Sequence, residues 1–316
     1  MATETTSTVP AGTLPYSTRL VVDMILAAVQ DTMSLYGHPA LVDARPMAGL
    51  LDAPRGMTTA GTITVQINEA ASAWDAAASE TAYGTNKDID PTYASFSTGN
   101  YDVAYGVSDD LRRRDATGLY NWPRIAQRIV TGWDVTFTGL VVALASSMTN
   151  SVGTTGNPIT LDLIQDARDK IEVNGKSLAV GGFVCILAPQ QWNMLRRDIQ
   201  DRGGAVERRA EFDAMQMAGL GSYKGRYDGV DYYTSDQTAE ASGDYSGSMF
   251  AAGGVGYLVL DQAPATPSQV RVLDAGIFFV EEIRTGKTTN WAGQASIGAS
   301  IVRQELCCKI LSTGRS

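Results

Sequence analysis

An α+β fold is what this sequence predicts, and three stretches predict it. From Asn121 to Met148 the apolar residues Ile125, Ile129, Trp133, Phe137, Leu140, Leu144 and Met148 recur at steps of three and four, the spacing of one helical face. From Thr160 to Asp198 a helical pattern, an unbroken apolar run (Phe183-Val184-Cys185-Ile186-Leu187) and a second helical pattern follow in turn. Behind them the last third of the chain reads mostly as short strands.

The first stretch predicts a long helix. Asn121 is suited to cap it, and Pro123 falls in its first turn, where a missing N–H costs nothing. At ~1.5 Å per residue it spans roughly 40 Å, the width of a small domain, so it reads as a strut. No charge falls between Val135 and Ser151, which raises the question of a membrane span. The run is shorter than the ~20 residues a bilayer needs and carries Thr136, Thr138, Ser146, Ser147 and Thr149, so burial in a protein core is the better reading and no membrane is expected. Gly132 and Gly139 each weaken a helix by about 1 kcal/mol relative to Ala. They mark a close approach of another backbone or a bend.

The second stretch predicts a compact α/β unit. Thr160 caps a helix with Leu161, Ile164, Ala167 and Ile171 on one face and Asp162 in its first turn, closing at Asn174-Gly175 in a left-handed terminus. Gly181-Gly182 leads into the apolar run, whose continuity predicts a strand covered on both faces. Pro189 opens a helix with Trp192, Leu195 and Ile199 inward. The third stretch predicts strands at Val230–Thr234, Gly256–Leu260, Val270–Leu273, Ile277–Ile283, Gln294–Val302 and Leu306–Leu311.

Ahead of these elements, residues 1–15 are rich in Thr, Ser and Pro and read as an arm, and Ser17 to about Leu35 as an amphipathic helix. Ile63, Val65 and Ile67 alternate with polar neighbours, as in a half-buried strand; a second strand runs from near Tyr93 through Tyr105. Between them Glu69 to Pro91 holds little to bury, which predicts a projecting hairpin of functional use. Ser108 to Asp115 reads as a solvated turn or short helix, Asn150 to Asn157 as a loop, and 201–222 as a flexible loop.

The 316 residues are 44% hydrophobic, with a net charge of -9, enough for a large core and unsuited to sequence-independent binding of nucleic acid. Cys185, Cys307 and Cys308 form no even disulfide framework, which points to a reducing compartment; adjacent in a strand, Cys307 and Cys308 face opposite sides. No signal peptide pattern opens the chain.

The motifs for chemistry fail one by one. His38 is the only histidine and lies in a Gly-His-Pro turn, which removes multi-histidine metal sites and reads as structural or solvent-facing. Gly175-Lys176-Ser177 has Lys170 where a phosphate loop needs its first Gly, and Gly254-Val255-Gly256 has Val259 where a dinucleotide loop needs its third. Asn86-Lys87-Asp88-Ile89-Asp90 starts like a calcium loop, but Pro91 replaces the turn Gly and Ser97 the bidentate Glu. Cys185 sits in an apolar run and reads as inert. No catalytic residue, cofactor or metal is expected.

The order of parts resembles the major capsid proteins of tailed bacteriophages, with the Hong Kong-97-type fold. The residues that carry the resemblance are Thr160 to Asp198, with Gly-Lys-Ser-Leu, GGFVCILAP and QQWNMLRRD; Gly225 to Ser235 as a turn and strand; and Val280 to Arg284 with Ala299 to Cys308 as closing strands. The resemblance implies an N-terminal arm at 1–45 and a peripheral domain at 46–157, with an extended loop at about 57–95 and a spine helix at about 121–148. It implies an axial domain at 158–265 and shared closing strands at 266–316. It further implies a virion shell of pentamers and hexamers around double-stranded DNA, assembled in the host cytoplasm with scaffolding, portal and cement or decoration proteins as partners. Some members join a loop Lys to an Asn of a neighbour; Lys87, flanked by Asp88 and Asp90, and Asn290 are the residues this would use, as contacts between subunits. Two alternatives stay open: an encapsulin-like nanocompartment shell of the same fold, and a soluble α/β enzyme or ligand-binding protein without a recognisable motif.

Overall fold

In the computed structural model the described residues are 35–36, 38–44, 62–67, 92–108, 110, 121–179, 181–202, 222–259, 270–271, 279–285 and 288–314. Helix α1 (Asn121–Ala143) starts where the sequence puts it and runs for 23 residues, roughly 35 Å. Its last turn tightens into a 3-10 turn at Leu144–Ser147, so regular α geometry ends a little short of Met148. Neither glycine breaks the helix. The Gln237 side chain rests on Gly139, while Gly132 faces open space.

One sheet is built on β14 (Thr288–Ile301). Antiparallel β4 (Gly99–Ser108) follows one edge; β13 (Phe279–Thr285) and β11 (Val255–Val259) follow the other in tandem. Short strands β1 (Leu41–Asp43, parallel to β11) and β12 (Val270–Arg271) complete it. Two more strands, β2 (Thr62–Ile67) and β3 (Thr92–Ser97), pair antiparallel on either side of the segment predicted to project. The predicted helix at 17–35, apart from Leu35, and the loops at 68–91 and 203–221 lie outside the described residues.

The other sheet has the order β5 (Ser151–Pro158), β15 (Cys307–Thr313), β10 (Asp244–Phe250), β6 (Phe183–Leu187), β8 (Val230–Thr234), β7 (Tyr223–Tyr227), with β9 (Glu240–Ala241) beside β10. Helices α2 (Leu161–Gly175) and α3 (Pro189–Asp201) flank β6 in sequence and lie on one face.

This sheet separates two cores. Phe183, Cys185 and Leu187 point into the second core with Ile164, Ile171, Trp192 and Leu195; Val184 and Ile186 point into the first, with Ile129, Phe137, Tyr257 and Trp291. A strand covered on both faces needs apolar side chains at every position, which is why β6 reads as an unbroken run. Cys307 and Cys308 divide the same way, one to each core.

The structure corrects the sequence reading in three places. Residues 151–158 are a strand, not a loop: β5 pairs parallel with β15 although almost all of it is exposed. Gly153 makes this possible, with φ of +80° and no room for a Cβ beside the Leu311 carbonyl. Gly175 keeps helical φ, and Lys176 takes the positive φ, 48°; the glycine is used for close packing of Leu306. Strand β10, at the centre of its sheet, was not predicted, because Asp-Tyr-Ser-Gly-Ser lacks an apolar pattern and only its second half is buried.

Candidate functional site

Thr160 caps α2 as predicted, its hydroxyl accepting from the Leu163 N–H at 3.3 Å, while the Leu161 N–H goes to Asp198 at the end of α3. Among the described residues, the helices and strands so fixed bring together no recognisable catalytic constellation. Among the described residues no group of three or more His, Cys, Asp or Glu side chains could hold a metal. All three cysteines are buried and free. Burial, helped by the neighbouring Cys308, pushes the Cys185 thiol far up, so it is no nucleophile.

His38 has a defined role that its turn did not reveal. Its Nδ1 accepts from the Ala40 N–H at 3.1 Å, and its Nε2 faces Asp231 Oδ2 on β8 at 3.4 Å. The Tyr223 hydroxyl donates to the other Asp231 oxygen at 3.2 Å. Burial works against the Asp231 carboxylate, but the His38 hydrogen bond and the Arg226 charge outweigh it and hold the carboxyl below its ordinary value. The segment before β1 is thereby tied to the second sheet. No local pattern links residues so distant in the chain.

A second tie missed in the sequence lies where the chain passes between the sheets. Gln304 accepts from the Thr149 N–H at 3.1 Å and donates to the Ser147 carbonyl at 3.0 Å. Asn150 donates to the Gln304 and Cys307 carbonyls at 3.0 and 3.1 Å and accepts from Asn174 at 3.0 Å. Side-chain amides thus satisfy backbone groups left over at the end of α1.

The first sheet leaves one broad surface open. Strand β4 is mostly exposed, with Tyr101 at 37%. A cleft of about 210 Å³ lies between α1 and the β4–β14 pair, lined by Tyr101, Ile129, Gly132, Trp133, Gln294 and Ile297 among others. Asn290 lies on β14 opposite Gly106, half-buried, its carboxamide across that glycine. Lys87, Asp88 and Asp90 lie outside the described residues, so of the four predicted contact residues Asn290 alone has a described place.

No protein-family model and no curated protein matches the sequence. Solved structures do match the fold. A capsid structure from Ralstonia phage GP4 aligns with a TM-score of 0.56 at 10% identity, over 82% of this chain and 85% of that one. A virus-like particle from Pyrococcus furiosus aligns at 0.54 and 12%, over 94% and 100%. A structure from Mycobacterium phage Che8 aligns at 0.52 and 15%, over 86% and 89%. The architecture is the Hong Kong-97-type fold.

Proposed function

We propose that this chain, carrying the Hong Kong-97-type fold, is the major capsid protein of a tailed bacteriophage. It builds pentamers and hexamers that close an icosahedral shell around double-stranded DNA. The observation that carries the reading is alignment with a phage capsid structure over most of both chains. The net charge of -9 suits a lining that does not grip packaged DNA.

On this reading residues 1–45 are the N-terminal arm and 46–157 the peripheral domain, with the extended loop at about 57–95 and α1 as the spine. Residues 158–265 are the axial domain, and 266–316 supply closing strands to both. The β2–β3 stem supports a loop that reaches a neighbouring subunit, where Lys87, Asp88 and Asp90 make contacts; Asn290 receives contacts on β14. Closure sums many modest interfaces into a cooperative whole. Scaffolding, portal and decoration proteins are the expected partners, and the virion the expected location.

Deleting residues 69–91 tests the loop. The deleted subunit is expected to stay folded by circular dichroism and to form no particles in electron micrographs. Intact particles would overturn the loop's role. Boiled, reduced wild-type particles on a denaturing gel report any Lys87–Asn290 bond; monomer-sized bands alone remove it. A nanocompartment shell is the second reading, favoured by alignment along the whole of the virus-like-particle chain. Nuclease-protected DNA in particles from infected cells supports the capsid; enclosed protein without DNA supports the compartment.

A further inference from the structure

Asp134 lies on α1 with 7% of its surface exposed, and its Oδ1 has no hydrogen-bond partner. Thr138, one turn further along the same face, is 3% exposed, and its hydroxyl is also without a partner. Such groups are costly to bury, and native proteins nearly always satisfy them. Tyr233 of β8 is buried in the same core as Trp133, Phe137 and Val141 of the helix. The His38 ring meets the Tyr233 ring edge to face, with centroids 6.0 Å apart. The ionisable groups of this junction are thus Tyr233, Tyr223 and Asp231 from the second sheet, Arg226 behind Asp231, and His38 from the segment before β1. The Asp231 carboxylate already has its partners in His38 and Tyr223. Asp134 has no such set, and burial pushes its carboxyl up to about 6.

We propose that Asp134 is a proton-operated fastening between α1 and the second sheet. Ionised, it holds an uncompensated charge in the packed contact. Protonated, it loses that charge and with it the cost of holding an ion in the packed contact. The folded value lies above the ordinary carboxylate value, so the proton is bound more tightly in the packed state. The fastening is therefore fully present below the ordinary carboxylate range and is lost as pH rises through about 6. Loosening at this point frees the spine from the axial unit without disturbing the second core, whose residues lie on the opposite face of the sheet.

Hydrogen exchange on the full-length protein tests this. After correction for intrinsic exchange rates, amides at 129–141 are expected to be about tenfold more protected at about pH 5 than at about pH 8. Asp134→Asn carries a permanent donor and no charge, so it should show the high protection at both. Equal wild-type protection at the two pH values would overturn the proposal, and so would a full pH difference retained in Asp134→Asn. His38→Gln should keep the difference; its loss there would move the switch to His38 and overturn the assignment to Asp134. The wild-type comparison alone decides if a variant fails to fold. The measurement is made on the subunit, so its failure leaves the shell assignment standing.

Discussion

Gln191 and Asp134 are both buried polar side chains on helices that pack against the second sheet, and they are treated in opposite ways. Gln191 on α3 is 0% exposed and fully used: its oxygen accepts from the Ala188 N–H, and its nitrogen donates to the Tyr245 carbonyl and the Ser312 hydroxyl. Asp134 on α1 is left with an unmet oxygen, beside an unmet hydroxyl on Thr138. The two cores differ in how open they are, although the second also holds an unmet hydroxyl, that of Tyr232. The second is closed by two helices and a sheet. The first is continuous with an open cleft and an exposed β4. A region complete within one chain specifies the fold. One that leaves surfaces open is where motion and neighbours act.

The largest effect should come from the aromatic centre of the first core. Phe137 stacks on Trp133 and meets Tyr36 and Tyr257 edge-on, so Phe137→Ala should lower stability by about 3–5 kcal/mol. Ile171→Ala in the second core should cost about 2–5 kcal/mol. Urea unfolding followed by tryptophan fluorescence checks both. Because the second sheet is common to the two cores, each variant should shift one cooperative transition; separate transitions would divide the cores more sharply than the packing suggests.

Next in size is Gln191→Leu, which strands the Ala188 N–H, the Tyr245 carbonyl and the Ser312 hydroxyl. It should cost about 1–3 kcal/mol in the same assay. The smallest is Thr138→Val. It keeps the branched shape and removes a hydroxyl that makes no bond, so at about pH 8 stability should stay within about 0.5 kcal/mol or rise slightly. A loss as large as that of Gln191→Leu would mean that the Thr138 hydroxyl is in use and would erase the contrast.

How much was legible in the sequence follows from how local each signal is. The spacing from Ile125 to Leu144, the cap at Thr160 and the proline at the start of α3 are set within a turn or two of chain, and they read correctly. So did the apolar run of β6, since double-sided burial leaves no polar positions. Strands β5 and β10 did not, because their place is set by β15, which lends hydrogen bonds to segments with little pattern of their own.

The amino-acid sequence by itself therefore determined the α+β class, the long buried helix, the doubly covered strand, and the separation of Cys307 from Cys308. Each is a consequence of periodicity or of side-chain alternation. Only the tertiary structure decided that Asp231 holds His38, that Gln304 and Asn150 tie the crossings between sheets, and that Asp134 lacks a partner. Those facts are distances between residues far apart in the chain, and a one-dimensional pattern carries no distance.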